Sequence, residues 1–146
     1  MRRTDVAMTH AAIALVAGSG FAYGWMLYFA EPADEFAIVN HPWQPTMHIL
    51  HVVTAPLFVF VLGLLWPTHI TPKLRSGASA RRRSGIGLVA LAAPMIASGY
   101  AVQVSAAAAW RAAFAWAHGI SSVLFLLVFV GHLATRIGSR SAAPRA

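Results

Sequence analysis

The residues of this chain best suited to chemistry are its seven histidines, two of which, His118 and His132, share one apolar run from Ala112 to Leu133. On an α-helix a spacing of fourteen residues is just under four turns, so the two imidazoles fall within about 40° of one face and about 21 Å apart along the axis. One helix thereby presents an imidazole at each of two depths. A neutral imidazole can donate a lone pair to a metal, accept a proton or hydrogen-bond to a neighbour. Which of these applies depends on what the other helices bring to the same depths.

Those helices must be membrane spans. Of the 146 residues 58% are hydrophobic and only 10% charged, and the uncharged runs are long enough to cross a bilayer core of about 30 Å. The length fits a single domain. The absence of cysteine excludes disulfides, thiolate-ligated haem, iron–sulfur clusters and covalent haem attachment, so a cofactor would need other ligands. The net charge of +7 is not a nucleic-acid signature, because the basic residues sit between and beside apolar runs rather than interleaved with aromatics along a face.

Four spans are expected, at about 6–29, 46–66, 86–104 and 112–133, in a body that ends near 137 and is followed by a basic, disordered tail, 138–146. The first follows two arginines as a signal peptide would, but its apolar region is too long for a signal h-region and is read as a retained span. It carries His10 and a Gly20–Gly24 step that permits close helix packing. The connection Glu31 to Pro45 holds three of the four acids and three prolines. The second span carries His48 and His51 near its start and Pro56 inside; His69 follows its end. The third has no histidine and one interior proline, Pro94.

Ten of the eleven Lys and Arg residues fall on one side of this arrangement and only Arg111 on the other. The positive-inside rule then predicts an all-α, four-helix, up-down transmembrane bundle with both termini cytoplasmic. Depths follow. His10 and His132 lie about equally far inside the cytoplasmic surface, and His51 and His118 match near the outer one. Paired imidazoles from neighbouring bundle helices suit axial ligation of haem iron, so two b-type haems are expected. Zinc would want three or four ligands at one depth, with a carboxylate or thiolate among them.

His48 and His51 lie about 60° apart in azimuth, so only one can aim at a given iron; His51 is deeper and is taken as the ligand, with His48 at the haem edge or on a propionate. Arg111 and Arg136 are candidates for propionate partners and equally for snorkelling anchors. Gly24, fourteen residues after His10, would offer a side-chain-free surface at the outer haem. His41 is read as a surface residue. His69 is read likewise, with a quinone site around it and Asp5 as its alternative. Trp25, Trp43, Trp66 and Trp110 suit the interfacial belts.

One ligand in the first span (His10), one in the second (His51 within HILHVVTAPLFVF), none in the third and two in the fourth (WAHGISSVLFLLVFVGHLATR) make a pattern that resembles the membrane-integral di-haem cytochrome b subunits of nickel-iron hydrogenases and formate dehydrogenases. The resemblance covers roughly residues 5 to 137. It implies electron transfer across the bacterial inner membrane, with this chain as an electron-transfer subunit of a larger oxidoreductase that exchanges electrons with quinone or with a periplasmic or membrane partner. This chain departs from the family in its short loops and lack of extra spans. Two other classes fit the same histidines: an intramembrane proton or metal-ion transporter, which would want acids at depth where only Asp5 is near a span, and a haem-free assembly subunit.

Overall fold

The computed structural model describes residues 2–76 and 82–141, of which 136–141 by backbone alone. Among the described residues every regular element is helical: α1 (Arg3–Tyr28), α2 (Gln44–Leu65), a π-helical turn (Trp66–Ile70), α3 (Thr71–Arg75), α4 (Arg82–Val104) and α5 (Ala108–Ser141). Four stretches within them are long and apolar enough to cross a membrane: Arg3–Tyr28, Gln44–Arg75, Arg82–Val104 and Ala108–Thr135. Their outer faces carry Phe21, Val53, Phe60, Trp116 and Leu127, each more than 60% exposed. Such faces demand an apolar solvent, and the chain is a multi-pass membrane protein.

Length alone suggests one domain, but the chain divides into two compact units, Met1–Pro72 and Lys73–Ala146. Each is a helical hairpin: α1 packs on α2 in the first, and α4 on α5 in the second.

In hairpin 1 the Asp5 carboxylate accepts the Arg2 backbone N–H at 2.9 Å and so serves the first turn of α1. At the other end of α1 the Asn40 side chain donates to Leu27 O at 2.9 Å, and the Asn40 N–H donates to Gln44 Oε1 at 3.0 Å. One asparagine thus ties the 29–43 connection to both helices it joins. Pro45 sits in the first turn of α2, where its missing N–H would have no intrahelical partner in any case.

The second span was expected to end at Trp66, yet helical backbone continues to Arg75. Pro67 explains both the continuation and its irregular form. It has no N–H to offer Gly63 O, and the Trp66 N–H takes that carbonyl instead. The chain then widens by one residue, and the Thr71 N–H reaches back five residues to Trp66 O.

In hairpin 2 the α4–α5 connection is short. Arg111 donates from Nε and Nη2 to Ser105 O at 3.2 and 3.0 Å, neutralising carbonyls that follow the end of α4. Its guanidinium is therefore engaged locally. Arg111→Ala is expected to loosen this turn by about 1 kcal/mol, read as a lowered unfolding midpoint in detergent with the histidine ring NMR signals unmoved. Helix α5 continues through 138–141, where a disordered tail was expected; 142–146 lie outside the described residues, as does Arg81 of the basic connection.

Candidate functional site

The histidine environments are built inside each hairpin. In hairpin 1 the Nδ1 of His51 lies 2.9 Å from the backbone carbonyl of Val16 on α1. A carbonyl only accepts, so Nδ1 must carry the proton, and in the neutral ring the lone pair then resides on Nε2. One turn further along α1, Gly20 faces the same ring. A Cβ built there would stand 2.7 Å from His51 Cε1 and 2.8 Å from Nδ1, so only glycine allows this approach.

Hairpin 2 repeats the arrangement. His118 Nδ1 lies 2.9 Å from Met95 O on α4, which fixes the same tautomer. A Cβ on Gly99 would stand 3.0 Å from its Cε1 and Nδ1. Carbonyl bonding of one ring nitrogen is how proteins orient an imidazole whose other nitrogen binds a metal, and it makes that nitrogen a better donor.

Nearer the open end of hairpin 2, His132 Nδ1 and Ser84 Oγ are 2.8 Å apart, with Gly85 beside the ring. A hydroxyl donates or accepts, so this bond orients the ring without choosing its tautomer. His10 lies on an exposed face of α1. The two pairs expected from depth, His10 with His132 and His51 with His118, each take one histidine from each unit, and the geometry bears on each ring within its own hairpin.

The remaining expected site residues are distributed as follows. His48 packs on Tyr23, with ring centroids 4.9 Å apart, and so is held in hairpin 1 on a different contact from His51. His41 accepts the Trp43 N–H at Nδ1. Gly24 has open space where a Cβ would be, so the glycine against an imidazole is Gly20. The Arg136 side chain lies outside the described residues. Among the described residues no three His, Asp or Glu side chains form a metal-binding cluster.

Hairpin 1 also encloses a cleft of about 400 Å³ at the end opposite the 29–43 connection, lined by Arg2, Asp5 and Thr68 together with Met8, Leu64 and Leu65. It includes Asp5, one of the two residues singled out for a quinone, but its lining does not include His69, which lies on the π turn.

Sequence reasoning missed Gly99, Ser84 and the carbonyls of Val16 and Met95. A signal for the glycines was present: the dipeptide Ser-Gly occurs three times in α1 and α4, each time ahead of a histidine-bearing helix, as Ser19-Gly20, Ser84-Gly85 and Ser98-Gly99. No protein-family model, curated protein or solved structure matches this chain.

Proposed function

We propose that this chain is a transmembrane electron carrier, a di-haem b-type cytochrome of the bacterial cytoplasmic membrane with both termini cytoplasmic. It acts as one subunit of a larger redox complex that exchanges electrons with quinone and with a periplasmic or membrane partner. The observation that carries the reading is the matched setting of His51 and His118: each has its proton fixed on Nδ1 by a helix carbonyl and its ring laid against a glycine. That setting fits a haem ligand, which would coordinate through Nε2. In this reading His51 and His118 serve the outer haem and His10 and His132 the inner one, a pairing that rests on depths read from the sequence.

When bound, haem iron supplies reversible one-electron Fe(III)/Fe(II) cycling. The residues of the chain do the rest. Val16 O and Met95 O hold the imidazole protons on Nδ1 and raise the donor strength of Nε2. Ser84 orients His132. For quinone the reading takes the cleft of hairpin 1, whose mixed lining, with Arg2, Asp5 and Thr68 beside Met8, Val61, Leu64 and Leu65, suits an amphiphilic ring compound.

Purified in detergent, the protein is expected to show a b-type α-band in its reduced-minus-oxidised spectrum and two haems per chain by pyridine haemochrome. A colourless preparation from haem-replete cells would overturn the reading. Asp5→Asn is expected to slow quinol oxidation on the order of 10²-fold by removing the proton acceptor; an unchanged rate would move quinone exchange away from the cleft.

A further inference from the structure

Setting Gly20 on Gly99 and His51 on His118 brings the two hairpins into one register. On the first helix of each, Ser19 falls on Ser98. Both hydroxyls donate to the carbonyl four residues back, Leu15 O at 2.7 Å and Pro94 O at 2.6 Å. Val16 falls on Met95, and these are the two carbonyls that the histidines engage. Ile13 falls on Ala92, both buried.

On the second helix Thr54 falls on Ser121. Both are buried, and they donate to Leu50 O at 2.8 Å and Ala117 O at 2.6 Å. Phe58 falls on Phe125, both buried, and Val61 falls on Val128. A serine bonded back along its own helix is commonplace in membrane spans. Agreement of a glycine, its preceding serine, an accepting carbonyl, a histidine, a hydroxyl one turn on and a phenylalanine two turns on is not accounted for by that tendency.

The register also shows where the hairpins differ. Toward the open ends His132 falls on Leu65, and Ser84, its hydrogen-bond partner, falls on Asp5. Leu65 and Asp5 both line the cleft of hairpin 1. The same pair of positions is thus a histidine–serine contact in one hairpin and the wall of a cleft in the other.

We infer that the chain is a tandem repeat of one hairpin unit in which His51 and His118 are equivalent ligands, each delivered by the same carbonyl-and-glycine notch, with Gly20 and Gly99 as positioning residues. The open ends have specialised, hairpin 2 adding a further imidazole on Ser84 and hairpin 1 a cleft. The identity of the bound metal centre rests on the haem reading; the equivalence of the two rings does not.

The test uses reduced, full-length protein in detergent, with ¹⁵N in the histidine rings and signals assigned by single His→Gln variants. Both His51 and His118 are expected to carry their proton on Nδ1. Gly20→Ala is expected to shift His51 more than His118, and Gly99→Ala to shift His118 more than His51. Each glycine variant is expected to weaken haem retention by a similar factor, about tenfold. An Nε2–H tautomer at either ring, or an effect from only one of the two glycine variants, would overturn the inference. Should a glycine variant fail to fold, the parent tautomers decide alone. A protein with no haem but two matching Nδ1–H rings would remove the haem reading and leave the equivalence standing.

Discussion

His118→Ala is expected to halve the haem content, from the two per chain proposed for the parent protein to about one. Alanine takes away the Nε2 lone pair and opens a gap beside Gly99, whose missing side chain is what admits the ring. Little else in hairpin 2 is disturbed. Met95 O loses the bond from His118 but keeps the one from Ser98 Oγ, and Ser121, one turn on, keeps its bond to Ala117 O. A halved haem content with an intact fold, read from haemochrome against circular dichroism, would identify the residue as a ligand rather than a packing group. His118→Met sharpens the result, because a thioether still ligates iron and raises its potential relative to bis-histidine. That variant is expected to keep two haems, with the midpoint of one moved upward. Two haems retained in the alanine variant would exclude His118 as a ligand.

Gly20→Val is expected to destabilise hairpin 1 whether or not any cofactor is bound. Its Cβ would enter within 2.7 Å of the His51 ring, a separation that carbon atoms do not tolerate. The ring can leave only by giving up the 2.9 Å bond to Val16 O; otherwise α1 and α2 must part. Overpacking of this kind costs about 1–3 kcal/mol, and the lost hydrogen bond about 1 kcal/mol more. Gly24→Val is the internal control, since nothing lies within 4 Å of a Cβ there. Equilibrium unfolding in mixed micelles should separate the two variants by a few kcal/mol; equal stabilities would mean that the His51 ring does not rest against Gly20.

The four spans were legible because hydropathy over twenty or so residues is a coarse signal that local detail barely perturbs. The histidines were legible as candidates because ionisable groups at depth are rare. Finer features depended on azimuth and on local hydrogen bonding, which composition does not encode. Gly20 and Gly24 look alike in the sequence, and only the direction from which α2 approaches distinguishes them. Arg111 was read as a propionate partner or an interfacial anchor because its charge alone was visible, whereas its guanidinium closes the α4–α5 turn through Ser105 O. Pro67 looked like the end of a span; the reassignment of Gly63 O to the Trp66 N–H lets the helix pass it. The correspondence between the hairpins was hidden because its register differs between the first and second helices, the connections being of unequal length.

The widened turn at Trp66–Ile70 has a geometric effect on everything beyond it. Each residue of an α-helix advances the azimuth by about 100°, so absorbing one extra residue rotates the remainder by roughly that amount relative to an unbroken helix. The face that α2 turns toward α1 is set by His51 and Thr54. The direction in which Thr71 and Pro72 project is set separately, after the turn. Pro67 therefore acts as a phase adjuster, decoupling the aim of the histidine from the aim of the helical residues that follow the turn, up to Pro72.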